Sequence, residues 1–228
     1  MMKYRFLLLL TVFAPSLFGQ IMTVSVDQDN FLVCPDQVVE VTATRSTTVN
    51  NSVAFNGTSQ YLEIPNDPAF NIGTSSFSVE FWVLTNDMSN TEYLAVYRNT
   101  SGHGWAIFKN ASGTVGFAAR DNTGNFDFVF GALSQIDDGN WHHIAVTWNR
   151  GTTTATLYVD GGYENSKNMN VGGDISHSDD ISLGYGVSPT TGNPTYLNGE
   201  IDEFRIWSEE RSSGDIQTYM SNHLNPAS

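Results

Sequence analysis

The run Phe77-Ser78-Val79-Glu80-Phe81-Trp82-Val83 sets a large apolar side chain at every second position. Successive side chains of an extended strand point to opposite faces, so Phe77, Val79, Phe81 and Val83 make one dry face, and the period does not suit a helix. The spacing returns in Ile144, Val146 and Trp148, again in Ala155, Leu157 and Val159, and towards the end Ile201 and Glu203 stand against Phe204 and Ile206. Gly, Asn, Asp, Ser and Thr cluster between the runs. Asp160-Gly161-Gly162 contains the Asp-Gly pair favoured by tight hairpins, and Asp137-Asp138-Gly139-Asn140 marks a second sharp turn. Turns at intervals of about ten residues predict an all-β chain, a two-sheet antiparallel β-sandwich of the jelly-roll type.

Two regions depart from this pattern. Between Ser212 and Leu224 the apolar residues Ile216, Tyr219, Met220 and Leu224 fall at helical spacing after a serine pair suited to capping, which predicts a short C-terminal helix. At the other end, residues 1–19 carry Lys3 and Arg5, then the apolar run Phe6 to Phe13, then small residues up to Gly19. That is the pattern of a signal peptide, too short to span a bilayer, and it implies a secreted or cell-surface protein with no membrane insertion. Residues 20–49 form an arm with one or two strands (Val24 and Val26, then Val38, Val39 and Val41), read either as the start of a further repeat or as an added edge strand. The sandwich domain is expected over 50–228.

With 10 Lys+Arg against 24 Asp+Glu the formal net charge is −14, which disfavours nucleic acid, whose binding rests on neutralising phosphates with basic residues. Divalent cations and glycans remain compatible. Cys34 is the only cysteine, so no intrachain disulfide forms and the fold must stand on its core.

Three segments together carry a family likeness. They are Val53-Ala54-Phe55-Asn56-Gly57 with Tyr61-Leu62-Glu63-Ile64-Pro65; Gly139-Asn140-Trp141-His142-His143 continuing to Trp148, with Leu157-Tyr158-Val159-Asp160-Gly161; and Leu197-Asn198-Gly199-Glu200-Ile201-Asp202-Glu203-Phe204-Arg205-Ile206-Trp207. In this order the chain resembles the laminin-G-like and pentraxin-like jelly-roll domains of the concanavalin A-like lectin/glucanase superfamily, over about residues 50 to 224. His143, Thr147 and Trp148 match the pentraxin signature, with Ala145 where that family has cysteine. The resemblance implies a calcium ion where the opening and closing strands meet, with Asn56, Gly57 and Asp202 at the matching positions. Calcium needs several hard oxygen ligands. The competing reading is that Asn56 makes an Asx turn and Asp202 pairs with Arg205 or caps backbone.

His142 and His143, being adjacent in a strand, face opposite sides and cannot close on one zinc ion, so they read as structural. A glycosidase of this fold uses a carboxylate cluster on one strand; Glu200-Ile201-Asp202 begins it, but Phe204 and Arg205 follow where a second carboxylate is required. Arginine does not deprotonate, so the chain is read as a non-enzyme. Glycan binding would use aromatic platforms ringed by polar groups, and the candidates in loop-rich regions are Tyr97, Arg98, His103, Trp105, Tyr185 and Tyr196. The functional expectation is a recognition module for a carbohydrate or glycoprotein, with a structural or assembly domain as the alternative.

Overall fold

The computed structural model describes residues 52–88, 90–188 and 191–221. The described residues belong to one compact unit that begins at Ser52. The expected leader and arm, and Leu224 of the expected helix, lie outside the described residues.

The described strands are β1 (Val53–Asn56), β2 (Leu62–Ile64), β3 (Phe77–Thr85), β4 (Glu92–Arg98), β5 (Gly104–Lys109), β6 (Val115–Arg120) and β7 (Phe126–Phe130). There follow β8 (Trp141–Asn149), β9 (Thr154–Val159), β10 (Gly162–Asn168), β11 (Ile181–Leu183), β12 (Tyr185–Val187), β13 (Pro194–Tyr196) and β14 (Asn198–Trp207). A helix, α1 (Ser213–Tyr219), comes last. One six-stranded sheet runs β1-β14-β3-β8-β9-β10, a second runs β2-β11-β4-β5-β6-β7, and β12 and β13 form a separate hairpin. This is the expected antiparallel jelly-roll sandwich.

The core lies between the two large sheets. Phe77, Val79, Phe81 and Val83 point into it, as their period requires, and meet Ile144, Val146, Trp148 and Leu157 from the same sheet. The facing sheet sends in Tyr97, Trp105, Ile107, Phe117 and Val129. Phe77 sits at the centre of an aromatic group, 5.8 Å from Trp148, 6.1 Å from Trp105 and 6.5 Å from Phe117, centroid to centroid. Asp160 (φ 52°) and Gly161 (φ 73°) both take left-handed backbone between β9 and β10, the requirement of a tight hairpin that Asp-Gly meets.

In β14 a bulge lies between Asp202 and Arg205, and Glu203 adopts φ 52°. The bulge changes the strand's phase, so that Ile201 is in the core, Phe204 and Ile206 also pack against it, and Arg205 turns out towards Glu80. There α1 covers the first sheet: Ser212 caps it, Ile216 is buried, and the indole N–H of Trp82 donates to the Met220 carbonyl at 2.9 Å.

One end of the sandwich encloses a charge. Lys109 is fully buried; its ammonium donates to the backbone carbonyls of Asp87 and Asn90 and lies 3.7 Å from Glu92 and 3.8 Å from Asp137. Glu92 in turn accepts from the Thr85 hydroxyl at 2.9 Å and the Asn198 N–H at 2.8 Å. A buried charge persists only when paired and hydrogen-bonded, and this network supplies both conditions.

Candidate functional site

The outer face of the second sheet forms a trough, and the strand register shows how the sequence builds it. Three rungs cross β7, β6, β5 and β4. The first is Phe130, Gly116, Phe108 and Tyr93; the second is Phe128, Ala118, Ala106 and Val96; the third is Phe126, Arg120, Gly104 and Arg98. Gly116, Ala118, Ala106 and Gly104 in the two middle columns leave the floor low beside Phe108 and Arg120. At Gly116 a Cβ would come within 2.6 Å of the Phe108 ring, so only glycine lets Phe108 and Phe130 close over it edge to face, 5.7 Å apart. On the open edge Phe126, Phe128 and Phe130 stand 46%, 41% and 37% exposed.

The β12–β13 hairpin makes the opposite wall. Gly186 lies against the Tyr93 ring, where any Cβ would collide at 2.4 Å, and Arg98 reaches over Tyr93 (5.3 Å to the ring centroid) to donate to the Val187 carbonyl at 2.7 Å. The groove so enclosed has a volume of about 240 Å³ and is lined by the aromatic rings, Ala118, Arg98 and Ser188. Among the described residues no carboxylate lines it. Asp127, between two of the exposed phenylalanines, points to the other side and is held by Lys167 (2.5 Å) and the Asn170 N–H (3.0 Å). Burial works against its ionisation, but these hydrogen bonds prevail and hold its carboxyl below the usual range.

The expected platform residues separate into four groups. Arg98 is in the trough. Tyr97 and Trp105 are not platforms at all: each is 1% exposed and faces the core, because the segment expected to be loop is β4 paired with β5, and both side chains fall on the inner face. The Tyr97 hydroxyl donates to the His177 carbonyl at 2.7 Å, and its ring stacks on the His177 imidazole at 3.8 Å. His103 belongs to the β4–β5 turn, with Nε2 2.7 Å from the Asp174 carbonyl. Tyr185 and Tyr196 pair across the hairpin, 5.0 Å apart, and join Tyr61 on the side turned away from Tyr93.

The residues expected at the calcium corner are not brought together. The opening and closing strands do pair, but Asn56 lies opposite Asn198, and Asp202 is four residues further along β14. Four residues of strand span about 13 Å, too far for one ion to bind both side chains at 2.3–2.6 Å. The Asn56 amide oxygen already accepts from the N–H groups of Thr58, Ser59 and Gln60 at 3.0–3.1 Å, the Asx turn of the competing reading. Gly57 is required by its φ of 70° and by the Asn198 Cβ, 2.9 Å from where its own would be. Asp202 accepts from the Glu203 N–H at 2.8 Å within the bulge. Among the described residues no group of three His, Cys, Asp or Glu side chains is placed to hold a metal.

The two histidines face opposite ways, as expected. His142 bridges Asp160 (2.8 Å) and Asp138 (3.1 Å); burial lowers its pKa, but the two carboxylates outweigh that and raise it above the ordinary value. His143 is buried beside Glu80, and desolvation brings it down to about 4, so it is neutral at pH 7.

Sequence reasoning missed the phenylalanine row. Phe126-Asp127-Phe128-Val129-Phe130 alternates cleanly, but the rule that apolar residues face inward assigns the phenylalanines to the core, and only the register with β6 shows that Val129 takes that place.

A two-sheet jelly roll with an aromatic trough on one outer face defines a lectin-like sandwich. A laminin-G-type family model, described as the concanavalin A-like lectin/glucanases superfamily, matches residues 56–217, and the chain belongs to that family. The non-toxic nonhemagglutinin type E of Clostridium botulinum is 25% identical over 176 residues, 77% of this chain but 14% of the relative. The chain thus spans about one seventh of that relative's length. Among solved structures, the native heptameric SAP-like pentraxin of Limulus polyphemus has a TM-score of 0.56 at 17% identity, covering 77% of this chain and 84% of its own. A candidate carbohydrate-binding protein of Bacteroides ovatus has a TM-score of 0.59 at 17% identity, covering 77% of this chain and 48% of its own. At these identities the likeness establishes the fold.

Proposed function

We propose that this chain is an extracellular carbohydrate-recognition domain that lays a sugar chain in the trough between β7 and the β12–β13 hairpin. The observation that carries this reading is the rung pattern: exposed rings on one edge, Gly and Ala in the floor, and an anchored guanidinium on the far wall. Apolar sugar faces stack on such rings, and the open shape suits a chain laid along a surface more than an enclosed small molecule. About 240 Å³ is below the roughly 300–1,000 Å³ of enclosed ligand pockets. The carbohydrate-binding description of the Bacteroides ovatus neighbour supports the same class of ligand. The reading is of binding: glycoside hydrolysis needs two carboxyl groups astride the scissile bond, and the described lining of the trough supplies neither. Glu200 and Asp202 belong to β14 of the other sheet.

A glycan array probed with wild type and with Phe128→Ala tests the reading. Wild type should retain a defined set of glycans and the variant should lose them, since removing one stacking ring costs about one to a few kcal/mol, or ten- to a hundredfold in affinity. Signals that Phe128→Ala leaves intact would place binding elsewhere.

A second reading rests on a separate observation: β7 is an edge strand carrying three exposed phenylalanines, a surface suited to pairing with another chain. Concentration-dependent association in light scattering that Phe126→Ser and Phe130→Ser abolish, with a silent array, would favour it.

A further inference from the structure

The trough is not uniform along its length. Its first two rungs are apolar, and its third carries Arg120 and Arg98 on either side of Gly104. Gly104 has φ 124°, and a Cβ there would meet the Tyr97 carbonyl at 2.0 Å and the His177 imidazole at 2.8 Å, so this position admits only glycine. Their Cα atoms are two strand spacings apart, about 9.6 Å.

The chain has 10 basic residues against 24 acidic ones, yet two of the ten stand on this rung. Arg98 lines the groove, whose described lining holds no carboxylate to neutralise it, whereas Arg120 reaches towards the β4–β5 turn. The other cation near the phenylalanine row, Lys167, is already paired with Asp127. Arg98 is held in place by the Val187 carbonyl and the Tyr93 ring, which uses one of its five N–H donors and leaves the rest of the planar fork for a ligand. Arg120 makes one long contact, 3.4 Å, with the Ser101 carbonyl. A guanidinium fixed in this way matches a carboxylate with two parallel hydrogen bonds. The chain's overall negative charge opposes an anion weakly, because charges beyond about 8 Å are screened at physiological salt.

We propose that Arg98, on the wall of the trough, binds the carboxylate of an acidic sugar, a uronic or sialic acid, while the neighbouring ring of the same glycan stacks in the phenylalanine section. This rests on the carbohydrate reading above and assigns its ligand class.

Calorimetry with matched pairs tests it: tri-galacturonate against its methyl ester, and 3′-sialyllactose against lactose, on wild type, Arg98→Gln, Arg98→Lys and Phe128→Ala. At least one acidic member should bind wild type tenfold or more tighter than its neutral partner. Arg98→Gln should erase that preference, Arg98→Lys should restore part of it, and Phe128→Ala should weaken both members of the pair. The wild-type comparison stands alone should a variant fail to fold. Equal affinity for charged and neutral partners, still lost in Phe128→Ala, would overturn the acidic-sugar assignment and leave the carbohydrate reading standing. No binding of any probe would overturn both.

Discussion

Replacing Lys109 with methionine keeps the length and apolar stem of the side chain and removes only the ammonium. In the folded protein that leaves Glu92 and Asp137 facing a space without their cation, and the carbonyls of Asp87 and Asn90 without the donor that Lys109 supplied. Removing one member of a buried ion pair costs about 3–5 kcal/mol, more than the pair itself contributes, because the partner stays buried and charged. For a domain of this size that is a fall of about 6–20 °C in melting temperature. The loss should depend on pH with a definite sign. Burial raises the Glu92 carboxyl above its ordinary value, while the Asn198 N–H, the Thr85 hydroxyl and Lys109 pull it down. Without Lys109 it rises further. A carboxyl that holds its proton more tightly when folded than when unfolded costs stability above its folded pKa, and that cost fades as the pH falls through it. Urea denaturation of wild type and Lys109→Met at pH 7 and pH 5 should therefore show a larger deficit at pH 7. Adding Glu92→Gln to Lys109→Met should recover part of it. A deficit under about 1 kcal/mol, or one independent of pH, would refute the reasoning.

Trp105→Ala should cost about 3–5 kcal/mol, as much as Trp148→Ala, because both indoles are buried against Phe77; chemical denaturation showing a loss near zero at Trp105 would put that ring outside the core. His142 and His143 should give stability opposite pH slopes. The raised His142 stabilises below its unfolded pKa of about 6.5, and that contribution is lost as pH rises through the folded value, whereas the depressed His143 costs stability as pH falls from about 6.5 towards 4. His142→Gln should accordingly make stability fall more steeply between pH 7 and pH 5 in thermal melts; an unchanged slope would contradict the Asp138–His142–Asp160 contact. Excess chelator should leave the melting temperature unchanged, since Asn56 and Asp202 do not converge. An ion at a hundredfold excess over its Kd would add about 2.7 kcal/mol, and a corresponding calcium-dependent rise would show a metal site.

The first sheet was legible from sequence because its strands alternate apolar and polar residues cleanly: Phe77 to Val83, Ile144 to Trp148 and Ala155 to Val159 all face the core as their period requires. The second sheet was not. In β5 the inward Trp105 and Ile107 alternate with outward Ala106 and Phe108, so both faces are apolar and no period emerges. The sequence therefore does not set Trp105 apart from a surface ring, nor does it mark the outer face that forms the trough. Arg98 was found as a polar residue among aromatics, but its partners Phe108 and Phe128 come from strands that only the pairing register brings alongside it. Asn56 and Asp202 do not come together for a related reason. The motifs correctly predicted that β1 and β14 meet, but a separation of four residues along β14 depends on register, which no motif states.

The carbohydrate-trough account is tested most directly by following the aromatic ring signals of isotope-labelled protein by NMR during titration with the glycan that the array ranks first. The account predicts that the Phe126, Phe128 and Phe130 rings shift together with the Arg98 side chain, saturably and at one affinity, while Trp105 and Trp148 in the core do not move. Saturable shifts confined to Tyr61, Tyr185 and Tyr196, or no saturable shift in any ring, would contradict it.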